Sequence, residues 1–426
     1  MIHCKEKLSL SNLTDLFYQG CKEEELLGLE YERLPINKTD QSTISYYGES
    51  GVCSALQELA KIDNWDYILD NTEIIGLKKL HDTITLEPGS QIELSLEPQK
   101  TIKDFQIKIN NINQTIRQIF DKYNIELFNY GVYPQTTYKN IKIIPKKRYK
   151  LMANYLWGIL SDVMMRETAG IQVGIDYKNE QDAMRKFNLA NKISPFTTAM
   201  YANSNIRGGV DTGYKSFRAL AWLNTDNERC GFATKFKENM QFEDYVKTVL
   251  NVPVIYIVRN NQYININGSI NFKQFINNGY EGYDATIEDF KLHANLFFPE
   301  IRLRNFIEIR NHDCVDEKYM YSLLALYKGI FYNSDALIAT EELLKQFSYN
   351  DIAEFRYNVP RLALKTKVKK HCVNDITKEI LFTGYAFQSG RTIRREAGKY
   401  SSRSGKNGYY ENSKDSSRNC ARFVWY

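Results

Sequence analysis

The sequence has little of what many common sites are built from. Five histidines in 426 residues leave scant material for a histidine-ligated metal centre, and none sits in an HExxH pattern. Seven cysteines occur without CxxC spacing, which excludes a zinc knuckle and argues against a disulfide framework. There is no GxxxxGK[ST] loop, no GxGxxG after a strand and no GxSxG elbow. Ser404-Gly405-Lys406 is only a fragment of the first, in a poor setting. No run approaches about 18 consecutive apolar residues, so a membrane-spanning helix is not expected. The longest apolar stretch is about Val252 to Val258. Met1–Leu13 carries Lys5, Glu6 and Lys7 in place of an apolar signal region, which points to a cytoplasmic protein. The 56 Lys and Arg against 51 Asp and Glu leave only +5, with no dense basic run, so a nucleic-acid partner is not expected either.

What is present is an ordinary globular composition with 13% aromatic residues, too many for general disorder. No internal repeat is visible. Phe105, Ile109, Ile112, Ile116, Ile119 and Tyr123 fall at helical intervals, giving an amphipathic helix with a buried stripe. Further helices are expected at Leu8–Gly20, Gly51–Ile62, Lys147–Glu167, Glu180–Ala202, Glu317–Asn333 and Ser334–Phe347. Other segments alternate with period two. Leu29 and Tyr31 oppose Glu30 and Glu32. Ile171, Val173 and Ile175 oppose Gln172, Gly174 and Asp176. Ile301, Leu303, Ile307 and Ile309 oppose Arg302, Arg304, Glu308 and Arg310. Such half-buried strands suit an antiparallel sheet, whereas parallel ones read as continuous apolar runs. The expected fold class is α+β, a mainly antiparallel sheet covered by helices. Gln388–Asn419 has Ile393 as its one large aliphatic residue and cannot bury much.

The polar faces of the strands share a chemistry. Glu30 and Glu32 project together. In LEPGSQIELS (Leu86–Ser95) the Pro-Gly pair marks a turn, which leaves Gln91 and Glu93 on one face, with Glu87 before the turn. Glu308 and Arg310 share a face. If these strands are neighbours, four or five carboxylates converge beside a guanidinium. Clustered carboxylates are costly unless cations compensate; oxygen ligands suit Mg²⁺, and arginine pairs with phosphate. On alternation alone, plain solvated strand faces are the stronger explanation. Two basic segments are candidate anion sites: Lys146-Lys147-Arg148 at a helix start, and Arg207-Gly208-Gly209, with Arg218 downstream.

A set of ordered segments then changes the balance: GLEYERLP (Gly28–Pro35), IIGLKK (Ile74–Lys79), TLEPGSQIELS (Thr85–Ser95), PKKRYKLMANY (Pro145–Tyr155), IQVGIDY (Ile171–Tyr177), ANSNIRGG (Ala202–Gly209), FPEIRLRNFIEIRNHD (Phe298–Asp313) and VPRLALKT (Val359–Thr366). In this order and spacing, covering Leu10 to Lys378, the chain resembles the plant and proteobacterial type of glutamate–cysteine ligase. The resemblance implies a glutamine-synthetase-like fold, in which an antiparallel sheet forms a catalytic funnel. It implies that ATP phosphorylates the γ-carboxylate of glutamate and that the cysteine amine attacks the acyl phosphate, with Mg²⁺ as cofactor. By motif, Glu30, Glu32, Glu87, Glu93 and Glu308 look like metal ligands, and Glu93 and Arg310 like catalytic groups. Gln172 and Arg310 then face ATP, while Arg148 and Arg218 take substrate carboxylate or phosphate. The partners implied are glutamate, cysteine and ATP, with the protein a monomer or homodimer.

The chain also departs from the family. Tyr31 and Arg33-Leu34-Pro35 stand where plant relatives have a His and a Lys-Phe-Gly run, and Asn311-His312 replaces a Gly-Ala pair. From about Phe382 the family's final helices are not recognisable. The expected organisation is a catalytic domain over residues 1–382 and an unstructured tail over 383–426. Two alternatives stay open: a glutamate ligase with a different amine acceptor, and an impaired ATP- or glutamate-binding protein of the same fold.

Overall fold

The structure is a computed structural model that describes residues 8–237, 239–386, 392–396 and 399–403. Its centre is a nine-stranded sheet. In chain order the strands are β1 (Leu27–Asn37), β2 (Asp66–Asp70), β3 (Glu73–Lys79), β4 (Asp82–Leu86), β5 (Ile92–Gln99), β6 (Ile125–Phe128), β7 (Gly170–Ile175), β8 (Ile301–Leu303) and β9 (Ile307–Asp313). In space the order is β8-β9-β7-β1-β5-β4-β3-β2, with β6 pairing β1 as well. Every pairing in this sheet is antiparallel, as the alternating patterns require. The α+β reading therefore holds.

Leu29, Tyr31, Leu94, Val173 and Ile309 are all buried on one face of the sheet. Helices Ile102–Phe120, Glu180–Met200 and Glu317–Phe331 pack against the sheet. The first carries the expected stripe: Phe105, Ile109, Ile116 and Ile119 are buried, with Ile112 and Tyr123 packed at its margin. Its start is fixed by Thr101, whose side chain accepts the Asp104 N–H, an ordinary N-cap. In Glu180–Met200, Pro195 has no N–H to give to the Asn191 carbonyl, and the Ser194 hydroxyl supplies the bond at 3.1 Å.

Two expectations fail for reasons that periodicity cannot see. Lys147–Glu167 is not one helix but two, Lys147–Tyr155 and Ser161–Glu167. At the break, Gly158 lies so close to the backbone of Thr225 that a Cβ would stand 1.8 Å from its carbonyl oxygen. The segment from Ile301 to Arg310 is not one strand but the hairpin of β8 and β9, with Arg302 paired across it to Glu308. The helix Val373–Ala386 runs through the expected boundary at 382, and Thr392–Glu396 pairs with Lys399–Arg403. The rest of the expected unstructured tail lies outside the described residues.

Ile109 is fully buried in the stripe beneath the sheet, so Ile109→Ala is expected to cost about 2–5 kcal/mol of stability, measured by urea unfolding, with turnover in native buffer preserved.

Candidate active site

β1, β5, β7 and β9 set the acidic positions side by side on the sheet face away from Leu29 and Tyr31. Glu32 is the direct cross-strand partner of Glu93. Glu30 lies between Ser95 on one side and Gln172 on the other. Glu308 is opposite Gly174, and Glu93 faces Thr85 of β4. The Pro-Gly turn between β4 and β5 forms as expected, closed by the Glu87 N–H to Gln91 carbonyl bond at 2.9 Å. Gln91 itself is spent on structure. Its amide accepts from Gly89 N and donates to the carbonyls of Met165 and Thr168, which moors the turn to the end of the Ser161–Glu167 helix.

Directly opposed like charges destabilise a sheet, and here three carboxylates respond by holding protons. Burial, with Glu93 and Glu308 near, pushes Glu30 up to about 8. Burial pushes Glu32 up to about 7, against the pull of the Arg218 guanidinium. Burial, with Glu87 and Glu32 near, pushes Glu93 up to about 8. Their partners differ. Glu32 accepts from Gly170 N at 2.5 Å and from Gln172 Nε2 at 2.9 Å. Glu93 accepts from the hydroxyls of Thr85 and Ser95 at 2.9 and 3.1 Å, and Glu87 from the Tyr149 hydroxyl at 3.1 Å. Glu30 takes no hydrogen bond from any described residue.

Glu308 behaves in the opposite way. Burial works against its charge, but Arg302 and Arg310 hold it far below the usual carboxylate range. Arg302 grips it with two bonds, at 2.5 and 3.1 Å. Arg304 reaches it at 3.4 Å and Arg310 at 3.2 Å. Arg302 is invisible as a partner while the segment is read as one strand; the hairpin brings it across. A β-bulge between Ile309 and His312 sets Arg310 and Asn311 against the single residue Gln172, and bulges commonly re-aim a side chain beside a site. Arg310 Nη1 also donates to Gln172 Oε1. Gln172 thus ties Arg310 to Glu32.

The other arginines separate. Arg218 is buried, donates to the Arg310 carbonyl at 3.0 Å and lies beside Glu32 and Asp313. Gly170 is packed so tightly on it that a Cβ would meet Arg218 Nη2 at 2.4 Å. Arg148 is half-buried over the Tyr149 ring, close enough to Glu87 to feel its charge. Two of the expected anion-binding features are already filled. Arg207 is clamped by Glu167 at 2.5 and 2.7 Å, and the first amide of the Lys147–Tyr155 helix is taken by Asp70 at 2.8 Å. Among the described residues, no three of His, Cys, Asp and Glu gather closely enough to hold a metal ion by themselves.

Comparison with known proteins gives first a class. A family model described as glutamate–cysteine ligase family 2 (GCS2) matches residues 26–405. The chain belongs to this family. A chloroplastic glutamate–cysteine ligase A of Oryza sativa subsp. indica is 31% identical over 388 residues, 89% of this chain and 78% of the relative. The chloroplastic enzyme of Nicotiana tabacum is 30% identical over 385 residues, covering 88% and 73%. The glutamate–cysteine ligase of Francisella tularensis in complex with AMP aligns with a TM-score of 0.49 at 13% identity, over 86% of this chain and 78% of that one. The cytoplasmic expectation is corrected by the plant relatives, which are chloroplastic; the composition of Met1–Leu13, on which that expectation rested, does not decide a compartment.

The raised carboxylates fix a pH dependence. Folded-state values of about 7 and 8 for Glu32, Glu30 and Glu93 mean that the folded chain keeps protons the unfolded chain releases. The stability they contribute is present below the unfolded carboxylate pKa and is lost as pH rises through 7 to 8. Buried His293 and His312, lowered to about 3, act in the other sense at acid pH. Between about pH 6.5 and 8.5 the carboxylates dominate, so the melting temperature of the ligand-free protein is expected to fall across that range, measured by calorimetry.

Proposed function

We propose that the acidic sheet face is where ATP activates the γ-carboxylate of glutamate and where the activated carboxylate is joined to the amine of cysteine. Transfer of the γ-phosphoryl group to a carboxylate oxygen leaves ADP and an acyl phosphate. The cysteine nitrogen then bonds to the acyl carbon, the bond to the phosphate oxygen breaks, and the nitrogen loses a proton. The observation that carries this reading is the meeting of two electrostatic states on one surface. Burial raises the carboxyls of Glu30, Glu32 and Glu93, beside Arg310, which Glu308 and Gln172 hold in one orientation. Phosphoryl transfer needs positioning and charge stabilisation more than covalent help.

Magnesium fits this donor set. Protonated, closely spaced carboxylates favour a hard cation that can replace the protons. Such an ion takes one or two protein carboxylates and completes its shell with phosphate oxygens and water. One or two of Glu30, Glu32, Glu87 and Glu93 would hold it, Glu30 most readily because no described residue hydrogen-bonds it. Such ions supply charge neutralisation at the transferring phosphoryl group. Glu308, already engaged by three arginines, would serve mainly to hold Arg310 toward the phosphates. Gln172 would act through Arg310 and Glu32, the two groups it joins. Arg218 and Arg148 are assigned to the carboxylates or phosphates of the substrates, one beside Glu32 and the other beside Glu87.

ADP release should require glutamate and rise when cysteine is added. A panel of other amines in place of cysteine tests the acceptor, and a better acceptor in that panel would displace cysteine. Glu93→Gln and Arg310→Ala should each lower kcat by about 10²–10³, while melting temperatures stay within a few degrees of the parent. Normal turnover in either purified variant would sink the assignment of the site.

A further inference from the structure

Arg185, Arg207 and Arg302 each grip a carboxylate with the same edge of the guanidinium, the one formed by Nε and Nη2. A two-pronged hold on an anion is what this planar group is shaped for. Arg33 has the same edge unfilled. It follows Glu32 in β1, so its side chain leaves the opposite face of the sheet, the one of Leu29 and Tyr31, and it is only 5% exposed. Its Nη1 donates to Asn113 Oδ1 at 2.8 Å. Nε and Nη2 are buried without a hydrogen-bond partner, and no described carboxylate forms an ion pair with the group. The Tyr321 hydroxyl, close enough to Arg33 to feel its charge, is likewise buried without a partner.

Buried donors are rarely left unpaired, and a buried charge is costly without a counter-charge. The ionised side chains that act on Arg33 most strongly are Glu317 and Arg117, which oppose one another. Glu317 is already engaged, accepting from Asn113 Nδ2 at 2.7 Å and lying 3.9 Å from Arg117 Nη2. Tyr31 and Cys314 also adjoin Arg33, but burial keeps both uncharged. A water molecule could accept from the two N–H groups, yet it would bring no charge. We infer that Arg33 holds a small monovalent anion, a halide or a carboxylate, on its Nε–Nη2 edge, with the Tyr321 hydroxyl as a further donor. Glu317 and Tyr321 are half-buried, which brings the surface close and gives an ion a way in. The anion ties the strand that carries Glu30 and Glu32 to the helix Glu317–Phe331. Because it lies on the sheet face opposite those acids, the site stands whatever the acidic face binds.

The test is thermal unfolding of the full chain in sodium chloride, sodium formate or sodium gluconate at equal ionic strength. An ion that binds only the folded state raises the melting temperature in a saturable way. Chloride or formate should do so, and the bulky gluconate should not. The one acting at the lower concentration assigns the site to halides or to carboxylates. In crystals soaked with bromide, anomalous scattering should give a peak within hydrogen-bonding distance of Arg33 Nε and Nη2. Arg33→Met removes the fork and keeps an apolar stem, so it should abolish the anion-specific rise. Because a core substitution also changes stability by itself, Tyr321→Phe serves as a second variant. It keeps the ring and should raise the concentration needed for half the effect by about fivefold, the scale of one hydrogen bond. A rise that all three salts share, one that survives Arg33→Met, or an anomalous map without a peak at Arg33 would each overturn the inference in favour of ordered water. An unaltered response in Tyr321→Phe would overturn the part given to its hydroxyl.

Discussion

Glu32 and Glu93 sit directly across from one another on adjacent strands, with Glu30 and Glu87 close by, in a place where water is scarce. Carboxylates so arranged cannot all be ionised at neutral pH without positive charge among them. Most of the site follows from that constraint. Gly170 N and Gln172 satisfy Glu32, hydroxyls from Thr85 and Ser95 satisfy Glu93, and Arg218 supplies a buried positive charge close to Glu32. Burial leaves the carboxyls of Glu30, Glu32 and Glu93 raised all the same.

The opposite solution is found a few ångströms along the sheet. Glu308 is held well below the usual carboxylate range because the β8–β9 hairpin folds Arg302 onto it and the bulge adds Arg310. Two neighbouring regions of one face are therefore kept in different states, one poor in positive charge and the other saturated with it.

Arg33, His312 and Tyr31 each find partners within the core. Arg33 is buried but donates to Asn113 Oδ1 at 2.8 Å, and Asn113 in turn donates to Glu317 at 2.7 Å. His312 is wholly buried between the Ile171 carbonyl and the Tyr327 hydroxyl, on the side of the sheet away from the acids. Tyr31 is buried with its hydroxyl 2.8 Å from Asn129 Oδ1 and 2.9 Å from the Val315 carbonyl. Tyr31, Arg33 and His312 thus brace the core, and Asn311 lies on the bulge next to Arg310.

Much of this was written in local pattern. Period-two alternation placed Glu30, Glu32 and Glu93 on one side of their strands and Leu29 and Tyr31 on the other, because successive side chains of a strand must point to opposite faces. The 3.6-residue stripe from Phe105 to Ile119 likewise determined a helix and its buried side. What alternation could not supply was partnership. It made one strand of Ile301–Arg310, so the Arg302–Glu308 grip was hidden, and it ran a helix through Gly158, because the contact that forbids it comes from Thr225, far along the chain. It offered Arg207 and the Lys147–Tyr155 helix start as anion sites, although Glu167 and Asp70 already fill them. Local periodicity is dictated by the geometry of one element. Which donor meets which acceptor is dictated by the packing of distant elements, and for this protein the tertiary structure alone decided which charges remain available to a ligand.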